Sequence, residues 1–173
     1  LQRNGKILEA AVETFDQSYY KEDELNSYIQ NAVDDYTAEH GKKSVSVTES
    51  KVEEKKAYLT LQYENAETFQ DFSGIECFSG SIVEAQSAGY DFEQDFYPVT
   101  DGKADKKTVR GSSLLEDDDL KVLIVKENSD LIVPGKIAYV STEGTEVTSE
   151  KKVNVTQKQQ DTDESVLVYV LYR

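Results

Sequence analysis

The sequence contains few of the residues on which most active centres depend. Its 173 residues include one cysteine, Cys77, one histidine, His40, and no tryptophan or methionine. A single cysteine cannot form an intrachain disulfide, and one cysteine with one histidine cannot complete a structural zinc site. A catalytic pair of Cys77 and His40 would need a third group to orient the base, and none can be recognised. We therefore expect Cys77 to be a small buried residue and His40 to lie at a helix C-terminus.

Motifs that hold cofactors or activate nucleophiles are also missing. The G-x-S-x-G elbow, the P-loop and the G-x-G-x-x-G fingerprint do not occur in the sequence. We therefore expect no cofactor and no catalytic residues of these classes.

Positive charge is scarce. The chain carries 19 lysines and arginines against 34 aspartates and glutamates, which gives a net charge of −15. A field of this sign repels phosphate backbones and anionic lipid headgroups, so we expect no nucleic-acid partner and no polybasic attachment to membranes. The sequence also lacks a run of about 18 apolar residues, the length of a membrane-spanning helix.

The clearest pattern lies in residues 22–41, where apolar residues recur at the spacing of one helical stripe. This stripe consists of Leu25, Tyr28, Ile29, Ala32, Val33 and Tyr36. Acidic residues at 22–24 match the positive end of the helix dipole, and Gly41 is placed to end the helix. We expect one long amphipathic helix whose stripe is fully used in packing against a sheet.

Much of the remaining chain has the two-residue period of β-strands. Residues 5–15 predict a strand, and residues 45–63 predict an antiparallel hairpin. Because Val52 is out of phase with Val47, we expect a bulge or an early end in the first strand of this hairpin.

Two short helices should follow the hairpin. Asn65 can cap the first helix, and Ser81 with Glu84 forms a capping box for the second. Residues 90–97 then alternate between aromatic and acidic side chains, which predicts a strand that Pro98 ends.

The C-terminal part has the composition of a β-rich region. Residues 120–125 and 166–172 are apolar on both faces and predict central strands. Residues 137–140 and 147–155 are shorter and more polar, so we expect them nearer the edges of the sheet. Residues 157–165 predict a solvated connection.

These patterns predict an α+β fold, with one long and two short helices packed on mostly antiparallel sheet. Residues 99–111 are polar, contain glycine and lack periodicity, so they are the best candidate for a boundary. We therefore expect an α+β lobe at 1–98 and a β-rich lobe at 112–173, with one continuous domain as the alternative.

Clustered carboxylates are the remaining candidates for chemistry. The acidic positions are Asp91, Glu93, Asp95, Asp117, Asp118, Asp119 and those within residues 161–164. Calcium prefers such oxygen ligands, but none of these clusters matches the EF-hand loop. They leave open a calcium-dependent adhesion module. A surface hydrolase acting through Asp91, Glu93 or Asp95 is the enzymatic alternative.

The order of several segments resembles a known group of proteins. These segments are GKILEAAVETFDQSYYKEDEL, ENAETFQDFSGIECFSGSIVEAQSAGYDF, VPGKIAYVST and the C-terminal VYVLYR. Together they resemble uncharacterised small exported lipoproteins of anaerobic Gram-positive, clostridial-type bacteria. The resemblance implies a signal peptide and a lipid-bearing cysteine ahead of Leu1, and it implies no site residues.

We therefore expect a domain outside the cytoplasm, held at the cell surface, with a binding or structural role and no enzymatic activity. Its expected partner is an envelope ligand or another envelope protein. Contact with the membrane is expected only through the N-terminal lipid anchor, which lies outside this chain.

Overall fold

The computed structural model describes residues 1–156 and 166–173. They divide into two compact units, a smaller unit of Asn4–Ser73 and a larger unit of Leu1–Arg3 with Gly74–Arg173. Both units combine helix with antiparallel sheet, which confirms the α+β class, and strand residues outnumber helical residues. None of the helices described has the length and apolarity needed to cross a membrane. The connection predicted at residues 157–165 lies outside the described residues.

The smaller unit is a three-stranded antiparallel sheet with two helices. Its strands are β1 (Ile7–Thr14), β2 (Val45–Glu53) and β3 (Lys56–Tyr63), and its helices are α1 (Glu22–His40) and α2 (Ala66–Ser73). β3 lies in the centre, between β1 and β2. The strand predicted at residues 5–15 and the hairpin predicted at residues 45–63 are both confirmed.

A tight turn and a bulge set the register of the hairpin. The turn residues Glu54 and Lys55 have φ values of 48° and 61°, as a two-residue type I′ turn requires. The pairing of β2 with β3 shifts between Val47 and Glu49, which confirms the predicted bulge. The extra residue returns Val52 to the sheet face that Val47 occupies.

Helix α1 has the predicted bounds, but the prediction of an amphipathic helix with a fully packed stripe is wrong. Of the residues described in α1, Val33 alone is buried. Tyr28 is 76% exposed, and Ala32 is exposed as well. The side of the helix that carries Tyr28 and Ala32 therefore does not face the sheet.

Polar contacts with the edge strand β2 determine the position of α1 on the sheet. The Glu22 carboxylate accepts a hydrogen bond from the backbone N–H of Val52 at 3.0 Å. The Ser50 hydroxyl donates to the side-chain oxygen of Asn26 at 2.5 Å. Because these contacts hold α1 over β2, the helix leaves part of β3 uncovered.

Truncation of two residues in the apolar stripe of α1 tests this position of the helix over β2. We expect Val33→Ala to lower the free energy of unfolding by about 1–3 kcal/mol, because its side chain is buried. Ile29→Ala should cost less, since Ile29 is only half-buried. Urea denaturation followed by circular dichroism measures both. A larger loss for Ile29→Ala than for Val33→Ala would contradict this placement of the helix.

The two short helices begin as predicted. At the start of α2 the Asn65 side-chain oxygen accepts a hydrogen bond from the N–H of Thr68 at 2.8 Å. Helix α3 (Ile82–Ser87) begins with the complete capping box of Ser81 and Glu84. In both cases a side chain satisfies a backbone donor that the first helical turn leaves free.

The larger unit contains α3, a 3-10 helix at Gly111–Leu114 and two sheets. Its strands are β4 (Cys77–Ser81), β5 (Asp95–Thr100), β6 (Lys103–Ala104), β7 (Val109–Arg110), β8 (Lys121–Val125), β9 (Asp130–Ile132), β10 (Ile137–Ser141), β11 (Thr145–Ser149), β12 (Lys152–Val155) and β13 (Val168–Tyr172). The seven-stranded sheet has the order β4-β8-β13-β10-β5-β6, with β7 also paired to β5. The three-stranded sheet has the order β11-β12-β9.

The core of the larger unit lies around β8 and β13. Both strands are interior to the seven-stranded sheet and are buried on both faces, which confirms the predicted central strands. One face packs in a cluster that includes Phe92, Phe96, Ile124, Tyr169 and Leu171. This cluster joins the sheet to α3 and to the 3-10 helix.

The strand predicted at residues 90–97 is misplaced, because β5 begins at Asp95 and continues through Pro98. The Pro98 carbonyl accepts a hydrogen bond from Asp105 N–H at 2.8 Å on the side of the strand away from β10. The missing Pro98 N–H points to this same side, where the pairing passes from β7 to β6. Proline at this position therefore removes no hydrogen bond between β5 and β10.

Two further predictions differ from the structure. Residues 99–111, proposed as a boundary, lie within the larger unit, where β6 and β7 both pair with β5. The division between units instead falls at Ser73 and Gly74. Residues 137–140 were expected near an edge, but β10 lies between β13 and β5. A short strand can be central when longer-range pairing supplies neighbours on both sides.

Candidate functional site

A groove of 530 Å³ in the smaller unit runs between α1 and α2, above β3. We call it the α1–α2 groove. Its wall on α1 consists of Tyr28, Ile29, Ala32, Asp35, Tyr36 and Glu39. Its other lining residues are Leu59, Leu61, Asp71 and Phe72.

A second depression of 230 Å³ lies beside the groove, towards β1. We call it the β1 depression. It is lined by Glu9, Ala11, Leu59, Leu61, Tyr63, Phe72 and Ser73. Leu59, Leu61 and Phe72 border both depressions, so the same apolar floor extends from α1 to β1.

The apolar floor exists because α1 covers the edge strand and not the centre of the sheet. Leu59 on β3 is half-buried, and so is Phe72 on α2. Small side chains widen the opening, since Ala32 faces it from α1 and Ala11 faces it from β1. The result is a concave apolar surface of the kind that binds ligands.

The charged groups around this floor are all acidic. The lining carboxylates are Glu9, Asp35, Glu39 and Asp71, and no lysine or arginine lines either depression among the residues described. Within the described part of the chain, Asp35 and Glu39 form no ion pair. Their negative charge is therefore available to a cationic group that enters the groove.

A hydrogen-bonded aromatic cluster closes one end of the groove. The Tyr36 hydroxyl donates to the Asp71 carboxylate at 2.8 Å. Burial, together with this bond, raises the pKa of Tyr36 to about 12. The His40 ring stacks on Tyr36 with 4.1 Å between ring centroids, and its Nε2 lies 3.9 Å from an Asp71 oxygen. His40 ends α1 as predicted, and it also supports this link between α1 and α2.

A depression of 460 Å³ in the larger unit has a different character. It contains both signs of charge, and its cations already have partners. Lys136 lies 3.1 Å from Glu150, and Arg173 lies 2.5 Å from Asp117. Paired charges offer less to a ligand than the unpaired carboxylates of the α1–α2 groove.

The first set of calcium and hydrolase candidates does not form a cluster of free carboxylates. Asp91 accepts a hydrogen bond from the N–H of Glu93 at 2.7 Å, and Asp95 lies 3.3 Å from the Arg110 guanidinium. Arg110 also donates to the Glu93 carbonyl at 3.0 Å. The carboxylates of Asp91 and Asp95 and the backbone of Glu93 therefore order the start of β5 together with Arg110.

The second set lies in the connection after the 3-10 helix. Asp117 accepts hydrogen bonds from Arg173 and from the N–H of Asp119, while Asp118 is exposed. Across residues 1–156 and 166–173, no three acidic, histidine or cysteine side chains are arranged to hold a metal ion. The carboxylates predicted within residues 161–164 lie outside the described residues.

The thiol of Cys77 is buried in β4 of the larger unit, as expected. Burial raises the pKa of this thiol to about 12, with the negative charge of Glu127 adding to the effect. Because the thiolate is the nucleophilic form, burial and the raised pKa both disfavour reaction of Cys77 at neutral pH. His40, the other member of the catalytic pair considered from the sequence, belongs to the smaller unit.

We expect native Cys77 to react far more slowly with Ellman's reagent at pH 8 than the same thiol after unfolding in guanidinium. The raised pKa also means that the folded state holds this proton more tightly than the unfolded state. Its contribution to stability is therefore complete below about pH 9 and is lost as the pH rises towards 12. Rapid reaction of the native protein would contradict the buried position.

Comparison of the chain with protein-family models, curated proteins and solved structures finds no significant match.

The sequence pattern did not identify the α1–α2 groove, although it contained a partial signal. Asp35 and Glu39 are four residues apart and border the apolar stripe, which places them on one side of the helix. Tyr28 and Ala32 lie on that same side. The exposure of Tyr28 and Ala32 could not be predicted from the helical repeat of apolar residues, because it depends on the position of α1 over β2.

Proposed function

We propose that this chain is a non-enzymatic binding domain whose α1–α2 groove takes a protein segment with both apolar and basic side chains. The observation that supports this most is the combination of an apolar floor, in which Leu59 and Phe72 are half-buried, with a rim of carboxylates. Leu59 and Phe72 would contact the apolar side chains of the partner. Asp35 and Glu39 would attract its lysine or arginine side chains.

The shape of the site favours a peptide segment over a compact small molecule. The α1–α2 groove and the β1 depression share one floor, so a single ligand would have to extend across β3 to contact both. A peptide segment extends in this way and presents several side chains in a row. The net charge of −15 would also increase the rate at which a basic partner meets the domain.

The affinity for a defined probe tests this proposal. The probe is a fluorescent, end-blocked peptide that alternates lysine and valine over about seven residues, within the usual length of a strand. We expect saturable binding in fluorescence anisotropy, weakened by added salt, and no binding of a peptide in which glutamate replaces lysine. Equal binding of the two peptides would overturn the proposed chemistry.

A matched pair of variants separates the groove from the general acidity of the surface. Asp35 lines the groove, whereas the neighbouring Asp34 does not, and both residues are exposed. We expect Asp35→Asn to weaken binding of the lysine–valine peptide about two- to fivefold, as loss of an exposed charge pair does. Asp34→Asn should have a smaller effect. An equal effect of both would indicate attraction to the surface as a whole.

We propose further that the domain works outside the cytoplasm, held at the cell surface by an N-terminal lipid anchor outside this chain. The resemblance to small exported lipoproteins supports this location. The full gene should then encode an apolar signal segment and a cysteine shortly before Leu1, and cells should incorporate labelled palmitate into the protein. A start codon for a cytosolic product directly before Leu1 would contradict this location.

A further inference from the structure

We infer that the β1 depression is a subsite for one lysine side chain of the bound segment, with Glu9 as the counter-ion of its ammonium group. This inference rests on the proposed function, and it assigns one side chain of the segment to one place on the sheet. Leu59 and Phe72 border both depressions. A segment that lies over the α1–α2 groove can therefore extend into the β1 depression along the same apolar floor.

Glu9 faces the side of the sheet that carries the core of the smaller unit. It pairs directly with Leu61 of β3, and directly opposed residues of an antiparallel pair share a face. Ile7, two positions earlier on β1, lies on this face as well. Ile7 and Leu61 are buried, and Glu9 is half-buried. A carboxylate in such apolar surroundings attracts a cation more strongly than a fully hydrated carboxylate does.

A buried tyrosine holds this carboxylate in place. The Tyr63 hydroxyl donates to Oε2 of Glu9 at 2.5 Å, and Tyr63 is 1% exposed. Among the residues that the structure describes, none forms an ion pair with Glu9. The negative charge at the wall of the β1 depression is therefore positioned by the protein but not neutralised by it.

The end of helix α2 adds negative charge of a different origin. Phe72 and Ser73 are the last two residues of α2, and both line the β1 depression. The last turn of α2 contains no basic residue. Carbonyl groups at a helix C-terminus carry partial negative charge, which favours a cation beside them. Glu9 and the end of α2 thus favour positive charge in the same cavity.

The walls of the depression suit the aliphatic stem of lysine. Ala11, Leu59 and Phe72 are half-buried and line a cavity of 230 Å³. A lysine side chain packs its four-carbon stem on apolar surface while its ammonium group reaches a polar partner. Because Tyr63 already binds one oxygen of Glu9, the site fits a single ammonium better than the planar fork of arginine, which binds both oxygens of a carboxylate.

Removal of the Glu9 charge tests this assignment. In Glu9→Gln the amide oxygen can still accept the Tyr63 hydrogen bond, so the fold should be kept. Its control is Glu13→Gln, since Glu13 lies on the same face of β1 but is exposed and does not line the depression. We expect Glu9→Gln to weaken binding of the lysine–valine peptide about tenfold, as loss of a hydrogen bond to a charged group does, and Glu13→Gln less than twofold. Equal effects of the two variants would overturn the subsite.

A steric variant tests the cavity without a change of charge. Ala11→Leu places a larger side chain in the β1 depression. Ala10→Leu is the matched control, because Ala10 is exposed on the opposite face of β1. Ala11→Leu should reduce peptide affinity about fivefold or more, and Ala10→Leu should preserve it. Circular dichroism verifies that all four variants are folded. Unchanged affinity of folded Ala11→Leu would show that no side chain enters the depression.

NMR titration with side-chain analogues locates the cation in the unaltered protein. The probes are n-butylammonium for lysine, n-propylguanidinium for arginine and n-butanol as the neutral control. We expect saturable amide shifts at Glu9 and Ala11 with n-butylammonium, with a dissociation constant on the order of millimolar. The shifts should be weaker with n-propylguanidinium and absent with n-butanol or in Glu9→Gln. Equal response to the two cations would overturn the assignment to lysine.

The outcomes separate this inference from the proposed function. If the lysine–valine peptide binds with the expected dependence on Asp35, but Glu9→Gln does not weaken it and n-butylammonium does not shift Glu9, the lysine subsite is overturned and the proposed function stands. If the peptide does not bind the protein at all, both are overturned.

Discussion

Arginine in place of Ala32 should weaken binding of the lysine–valine peptide by about tenfold or more. Ala32 is exposed on α1 and lines the α1–α2 groove, so its substitution leaves the core intact. The long arginine side chain would occupy the groove above Leu59 and bring a positive charge among its carboxylates. Steric exclusion and like-charge repulsion therefore act in the same direction. Fluorescence anisotropy measures the change in dissociation constant.

Ala38→Arg is the matched control for this substitution. Ala38 is also an exposed alanine of α1, but it lines neither depression. Both variants change the net charge by the same amount and place arginine on the same helix. Binding should therefore be nearly unchanged by Ala38→Arg. If the two variants weakened binding equally, the groove would not be the site.

Removal of the Phe96 ring should destabilise the larger unit by about 3–5 kcal/mol, as truncation of a buried phenylalanine does. Phe96 is completely buried on β5. Its ring centroid lies 6.3 Å from that of Phe92 and 6.0 Å from that of Tyr169. A Cβ added at Gly111 would lie 2.6 Å from the Phe96 ring, which shows how closely the surroundings pack.

Urea denaturation of Phe96→Ala, followed by circular dichroism, measures this loss. The control is Val83→Ala on α3, where Val83 is 58% exposed and the expected change is within about 0.5 kcal/mol. A loss of less than about 1 kcal/mol for Phe96→Ala would show that this cluster is not the centre of the core.

Local sequence signals predicted local structure well in this protein. The Asn65 cap, the capping box of Ser81 and Glu84, and the bulge after Val47 all occur as expected. Each depends on residues that are close in sequence or directly paired across a hairpin. Such interactions leave a recognisable pattern, because few competing arrangements satisfy the same groups.

The packing of α1 could not be predicted in the same way. Its period identified the helix, but its position depends on contacts such as Asn26 with Ser50 and Glu22 with Val52. These pairs are separated by 24 and 30 residues, and nothing in either segment marks its partner. A helix held over the edge strand exposes Tyr28 and Ala32, which the stripe alone would have placed in the core.

The order of the strands in the sheet could not be predicted from composition either. The polar segment at residues 99–111 lacks periodicity, yet it forms β6 and β7 on the outer side of β5. Pro98 ends no strand, because its missing N–H faces this outer side. Which side of a strand a residue faces depends on pairing with distant strands, so local turn and strand signals cannot decide it.

The candidate site combines residues that no single motif contains. Its floor comes from β3 and α2, its open side from Ala11 on β1, and its charges from Asp35 and Glu39 on α1. Only the fold brings these together. The net charge of −15 was evident from the sequence, and it predicts partners other than nucleic acids and anionic membranes.

The most direct test of groove binding is an amide-resolved NMR titration of the protein with the lysine–valine peptide. Saturable shifts should be concentrated at Ala11, Ala32, Leu59, Leu61 and Phe72, and the amides of the core strands β8 and β13 should not change. Shifts spread over the acidic surface without saturation, or saturable shifts confined to the larger unit, would contradict binding in the α1–α2 groove.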